Sequence, residues 1–267
     1  PAKIKNMAYE NPIISNAGLD IYEDPIKDRT YVCTVDVARG VSKDYSAFVI
    51  MDVSQMPFKI VAKFRNNEIR PLLFPHTIEK VCKAYNHAHV LVETNDLGQQ
   101  IAEALQFELE YDNLLMTTQR GRAGQILGAG FSGRGSGFGV KMTKQIKKIG
   151  CANIKTLIES DKVLINDFNI IEEMSTFIRK GQSWQADEGS TDDLMMCLVI
   201  FGWLSNQPFF KEMTDTNARQ QLYEEQQNLI EQDMSPFGFV DDGIPDYEKP
   251  EIDEYGTVWH PVTRKGN

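Results

Sequence analysis

Apolar and polar positions along the chain follow a two-residue rhythm at first and a helical one later. YVCTVD (31–36), SAFVIMDV (46–53) and KIVAKFR (59–65) are apolar runs rich in β-branched residues, joined by polar connections. That pattern predicts three strands in an antiparallel meander. Residues 71–88 have helical spacing with aromatics on one face and lead into the short strand VLVE (90–93). A helix over 98–109, the strand NLLMTT (113–118), a helix over 142–158, the strand VLI (163–165), a helix near 170–178 and the strand SWQA (183–186) follow. STDDLMMCLVIFGWL (190–204) predicts a strongly apolar helix, with Ser190 or Thr191 as cap and Asp192 and Asp193 in its first turn. A meander followed by helices alternating with short strands implies an α/β fold, a mixed sheet with helices on its faces.

The pattern breaks in three places. Residues 1–28 suggest an extended lead-in, 29–207 the folded domain, and 208–267 an acidic, partly irregular tail in which ARQQLYEEQQNLIEQ (218–232) could form an exposed helix. RGRAGQILGAGFSGRGSGFG (120–139) is so glycine-rich that a mobile or hairpin-like loop is expected. No apolar run approaches the roughly 20 residues of a membrane span and no signal peptide opens the chain, so no membrane partner is expected.

Composition changes little in this picture, but charge does. The 267 residues are 42% hydrophobic and 25% charged, enough for one large domain with appendages. The net charge of −10 argues against a general nucleic-acid coat, yet residues from Lys211 onward hold 13 acidic and 5 basic side chains. Eight of the ten net negative charges therefore belong to the tail. Cys33, Cys82, Cys151 and Cys197 are scattered without metal-ligand spacing, which predicts buried thiols in a reducing compartment rather than a zinc site.

Three acid positions stand at comparable places. Asp36 lies inside an apolar strand, where an unpaired carboxylate costs several kcal/mol or keeps its proton. Glu93 ends VLVE, and Asp192 and Asp193 open the last core helix. If the first and fourth strands are parallel neighbours, Asp36 and Glu93 face one another and the helix brings a third acid. Converging carboxylates need a cation, and oxygen-only ligands favour Mg²⁺ or Mn²⁺, ions suited to phosphate chemistry. Taken singly, Asp192 or Asp193 could equally serve the helix dipole, and Glu93 could be a surface acid.

VDVARGVSKDYSAFVIMDV, VLVETNDLGQQIA, MTKQIKKIGCANIKTLIESDKVLI and SWQADEGSTDDLMMCLVIFGWL resemble, in register over roughly residues 20–207, the carboxy-terminal nuclease domain of large terminase subunits of T-even-type tailed phages. The resemblance implies an RNase H-like (RuvC/integrase) fold and a Mg²⁺- or Mn²⁺-dependent endonuclease, with one or two ions. Its substrate would be concatemeric double-stranded DNA, cut during headful packaging. By that resemblance the catalytic and metal-binding triad falls on Asp36, Glu93 and Asp193, with Asp192 adjacent as an assisting ligand. Implied partners are double-stranded DNA, the portal protein, the small terminase subunit and the packaging ATPase domain, at the prohead in the host-cell cytoplasm. The chain contains no GxxxxGK[ST] phosphate loop and opens on Pro1, so a nuclease-domain fragment without the motor half is expected.

DNA would need local positive charge. Arg120, Arg122 and Arg134 flank the glycine-rich stretch, and Lys141, Lys144, Lys147 and Lys148 follow at spacings that share roughly one helix face. A solvated helix face is the plainer account of those lysines. Asn95 could orient a phosphate or a metal-bound water, and Asp44 is either a supporting acid or a turn residue. His76, His87, His89, Trp184, Trp203, Met195 and Met196 look structural. The competing functions are a RuvC-like resolvase or transposase-type nuclease, and a non-catalytic DNA-clamping or capsid-docking module.

Overall fold

Alternation along the first long strand decides which side of the sheet each side chain meets in the computed structural model. The structure describes residues 4, 7–37, 45–120, 124–128, 136–181, 183–215, 251–252 and 258–259. The lead-in forms a hairpin, β1 (Ile14–Asn16) and β2 (Leu19–Ile21), followed by the meander β3 (Tyr31–Asp36), β4 (Ser46–Asp52) and β5 (Phe58–Asn66). Next come α1 (Phe74–Ala84), β6 (His89–Val92) and α2 (Gly98–Glu103), which runs into a π-helical turn at Ala104–Glu108. The second half holds β7 (Met116–Arg120), β8 (Gly124–Gly128), β9 (Ser136–Phe138), α3 (Lys144–Glu159), β10 (Val163–Leu164), α4 (Phe168–Thr176), β11 (Phe177–Lys180), β12 (Ser183–Ala186) and α5 (Asp193–Leu204).

Among the described residues, the main sheet has seven strands in the order β1-β2-β5-β4-β3-β6, with β10 beside β5. The meander β3-β4-β5 is antiparallel, whereas β6 runs parallel to β3 and β10 parallel to β5. Tyr31, Cys33 and Val35 point to one face and pack with Phe48 and Ile50 against α1 and α2. Val32 points to the other face, with Ala47, Val49 and Met51, where α3, α4 and α5 cover the sheet. This is the RNase H-like mixed sheet with helices on both faces.

The helix α5 locks that second face. Every residue from Leu194 to Leu204 is buried, and each large apolar side chain so buried contributes roughly 1.5–3 kcal/mol. A helix apolar on all sides must lie between layers, which here are the sheet and α3. α3 approaches closely because a Cβ at Gly150 would come 2.2 Å from the Val199 carbonyl oxygen.

Two local expectations change, and a third, the hairpin-like glycine-rich stretch, takes definite form. The helix expected over 170–178 stops at Thr176, because Phe177–Lys180 pairs with Ser183–Ala186 as an antiparallel hairpin. Trp184 is therefore not core: it sits half-buried on the hairpin with the Arg179 guanidinium 5.8 Å from its ring centre. The described parts of the glycine-rich stretch form two strands of a small antiparallel sheet ordered β8-β7-β9. Leu127 anchors it in the core, and Gln125 exchanges two hydrogen bonds with the Lys141 backbone, at 2.7 and 2.8 Å. Trp203, Met195 and Met196 are buried as expected, and all four cysteines are free thiols. Among the described residues, no helix is long and apolar enough to cross a membrane. Residues Leu222–Asn267 form a separate compact unit, in which β13 (Glu251–Ile252) pairs with β14 (Val258–Trp259).

Candidate active site

The parallel register of β3 and β6 brings two acids level. Val35 pairs with Val92 and the Glu93 amide donates to the Val35 carbonyl at 2.9 Å, so Glu93 lies beside Asp36. The two-residue period turns both away from Val35 and Val92, toward the face covered by α5. Across the sheet on the other side, Asp36 is level with Ala47, and Ala47 with Arg65. One row at the end of the sheet therefore reads Glu93, Asp36, Ala47, Arg65. Glycine at 98 lets α2 begin directly over Glu93, since a Cβ there would come 1.7 Å from the Glu93 carbonyl oxygen.

Acids crowd one end of this row, and Asp36 feels it most. Part of Asp36 reaches solvent, but its carboxyl lies deep among protein atoms, and burial pushes its pKa well above the ordinary carboxylate value. The charges of Glu93, Asp193 and Asp192, in that order, push it further, and a side-chain hydrogen bond joins Asp36 to Glu93. Glu93 is also held by Asn95, whose Nδ2 donates to Glu93 Oε1 at 2.7 Å and to the Met142 carbonyl at 3.3 Å.

Asp192 and Asp193 differ in their surroundings. Asp192, the residue capping α5, turns its Oδ2 to the Ala186 amide at 3.3 Å, with Lys147 Nζ at 4.0 Å. Asp193 Oδ1 accepts from the Tyr45 amide at 3.3 Å, while its Oδ2 is buried without a hydrogen-bond partner. Burial first, and the Glu173 charge second, push the Asp193 pKa up to about 7 against the pull of the Tyr45 amide and Arg65.

Among the described residues, no three acid, histidine or cysteine side chains converge tightly enough to chelate an ion. The cause lies in the hydrogen bonding: Asp36 and Glu93 are joined to each other, while Asp193 is drawn toward Tyr45. The donor set nevertheless fits a hard cation. It is all oxygen, one carboxylate oxygen is orphaned in the interior, and like charges disfavour ionised Asp36 until something positive arrives.

The basic residues separate into groups. Lys141, Lys144 and Lys148 are exposed, but Lys147 is half-buried, directed to Asp192 and 5.6 Å from the Phe177 ring centre. Arg120 ends β7, whereas Arg122, Arg134 and Asp44 lie outside the described residues. His76 lies in α1, His87 in the turn that follows it and His89 at the start of β6, away from the acid row. Two functional candidates escape the sequence pattern. Glu173, 3% exposed, and Arg65 form an ion pair at 3.5 Å beside the start of α5. The one signal for them is a glutamate on the apolar face of a helix, between Ile170 and Met174.

Comparison with known proteins bears on the fold that carries these residues. The family model described as the terminase RNaseH-like domain matches residues 33–200, a span from β3 into α5. The large terminase nuclease from thermophilic phage G20c, crystallised with bound magnesium, superposes with a TM-score of 0.57 at 19% identity, over 75% of this chain and 94% of that one. Its cobalt-bound form gives 0.55 at 20% identity, over 75% and 94%. The Thermus phage P74-26 large terminase nuclease domain gives 0.53 at 20% identity, over 74% and 91%. With the family match extending over more than half its length, the chain belongs to the terminase RNase H-like domain family.

Proposed function

We propose that the chain is the metal-dependent endonuclease domain of a phage large terminase, cutting concatemeric double-stranded DNA during headful packaging. The observation that carries this is the row at the sheet end: Asp36 and Glu93 level on parallel strands, with Asp193 at the start of the helix covering them. Asp36, Glu93 and Asp193 would hold one or two Mg²⁺ or Mn²⁺ ions through oxygen alone. Such an ion, when bound, polarises a phosphoryl oxygen and lowers the pKa of water enough to attack phosphorus at neutral pH.

The remaining chemistry belongs to the protein. Strand stiffness keeps Asp36 and Glu93 in place, and Asn95 fixes the Glu93 carboxylate. Asp193 is the better third ligand because its Oδ2 is unpartnered, whereas Asp192 is engaged by the Ala186 amide and Lys147. Lys141, Lys144 and Lys148 are exposed and can meet phosphates, and Arg120, Arg122 and Arg134 are further candidates on charge alone. Phosphate contacts position a duplex without reading its sequence, which suits cleavage of low sequence preference. The portal, the small terminase subunit and the packaging ATPase domain are the proposed partners, at the prohead in the host cytoplasm.

Plasmid cleavage by the parent, Asp36→Asn, Glu93→Gln and Asp193→Asn, with and without Mn²⁺, tests the proposal. Cutting by the parent only with metal, and loss in all three variants, supports it. Equal cutting by all four proteins refutes the site. A parent that binds DNA but neither binds metal nor cuts would favour the clamping module.

A further inference from the structure

The start of α5 is secured in an unusual way. A helix leaves its first amides without partners, and the capping side chain normally accepts from them. Asp192 holds the capping position but makes no such bond, because its Oδ2 faces the Ala186 amide. The acceptor comes instead from another helix. Glu173 of α4 accepts through Oε2 from the Met195 amide at 2.9 Å, and the Leu194 amide donates to the same carboxylate.

The other carboxylate oxygen is tied as firmly. Glu173 Oε1 accepts from the Thr191 hydroxyl at 3.0 Å and lies 3.5 Å from Arg65 Nη2. That Nη2 donates to Thr191 Oγ1 at 2.6 Å, and the guanidinium lies 4.1 Å from the Tyr45 ring centre. The Tyr45 amide in turn donates to Asp193 Oδ1. Asp193 thus sits inside a closed circuit that runs from Glu173 to the α5 amides, and back through Tyr45, Arg65 and Thr191. Packing does not call for a charge at 173, since Ile170 and Met174 on the same helix face are buried hydrophobics.

We propose that Glu173, held by Arg65 and Thr191, is a positioning residue that sets the first turn of α5 and so aims the Asp193 carboxylate, making divalent-ion affinity depend on an acid that never touches the ion. The inference rests on Asp193 being a metal ligand, as proposed above. Outer groups that orient ligands commonly matter by about 10–100-fold in metal affinity or activity. Glu173→Gln keeps the shape and one acceptor oxygen but replaces the other with an amide NH2, which can accept neither from the α5 amides nor from the Thr191 hydroxyl. Val at 191 keeps the size and removes the hydroxyl that joins Arg65 to Glu173. Asp167→Asn is the structural control: it is a buried acid that caps α4 through the Ile170 amide and pairs with Lys63, without a bond to α5.

The test uses the full chain and Mn²⁺ alone, titrated by calorimetry, with thermal melts on each protein and plasmid cleavage resolved into kcat and KM. Glu173→Gln is expected to raise the Mn²⁺ Kd by about 10-fold or more and to lower kcat comparably, with KM for DNA unchanged. Thr191→Val should move both in the same direction by a smaller factor, and it decides the matter if Glu173→Gln fails to fold. Asp167→Asn should lower Tm with Mn²⁺ affinity unchanged. Parent-like Mn²⁺ affinity and kcat in the folded variants, with only Tm reduced, would make Glu173 a plain structural cap and overturn the inference. A parent that binds no Mn²⁺ would overturn the metal-centre proposal itself, and this one with it.

Discussion

Two clusters of buried acids lie under the same face of the sheet, and they are built on opposite terms. At one, Lys63 Nζ stands 3.2 Å from both Asp20 and Asp167 and donates to Asn169 Oδ1 at 2.5 Å, while the Tyr22 hydroxyl donates to Asp167. At the other, burial and the charges of Glu93, Asp193 and Asp192 raise the proton affinity of Asp36, and Asp193 keeps an orphaned oxygen. The first set of acids is neutralised by a lysine, whereas like charges crowd Asp36 in the second, a contrast that fits the cation site proposed there.

Breaking the compensated cluster should have the largest effect. Lys63→Met strips the countercharge from buried Asp167 and half-buried Asp20 and should cost about 3–5 kcal/mol, read by urea unfolding, with no rescue by Mn²⁺. The opposite is expected at the other cluster. Asp36→Asn removes a repulsive charge, so the metal-free protein should be as stable as the parent or more so, while cleavage falls by more than about 100-fold. Instability of that variant would show that Asp36 is structural.

Acidity probes the second cluster through Asp193. Asp193 is raised from 3.8 to about 7, so between those values the folded state binds more protons than the unfolded one. Metal-free stability from this group is therefore highest below about pH 4, falls as pH rises toward 7, and loses roughly 1–4 kcal/mol by pH 8. Mn²⁺ should restore stability at pH 8 more than at pH 5.5, which melts at the two pH values would show. The smallest effect is on DNA. Lys144→Ala and Lys148→Ala should each reduce the salt slope of binding by about 0.9 for every phosphate left without its lysine, and an unchanged slope would assign these lysines to a solvated helix face.

The contrast also explains what the sequence can and cannot reveal. Asp36 is conspicuous because a charge inside YVCTVD breaks an apolar run, and the parallel pairing with VLVE follows from the order of elements. The apolar α5 is equally plain, since no surface helix reads LMMCLVIFGWL. Lys63 and Arg65 mislead instead: charges alternating with Ala62 and Phe64 look solvent-facing, yet both lie beneath α4, matched to acids more than 100 residues away. Such pairings carry no local signature. The hairpin at 177–186 is hidden for a related reason, because Phe177 and Ile178 continue the helical spacing of α4 and only pairing with 183–186 redirects them. Local pattern likewise leaves Asp192 and Asp193 equivalent, since both suit a first helical turn; the family resemblance alone selects Asp193, and in the structure it is Asp192 that the Ala186 amide and Lys147 engage.

The most direct measurement is an anomalous-scattering map from a crystal soaked in Mn²⁺. A manganese peak about 2.0–2.2 Å from carboxylate oxygens of Asp36 and Glu93, with Asp193 completing the oxygen shell, is the result expected of a cation-compensated cluster. No peak at that end of the sheet, with Asp36 and Glu93 still joined by their hydrogen bond at saturating Mn²⁺, would contradict it.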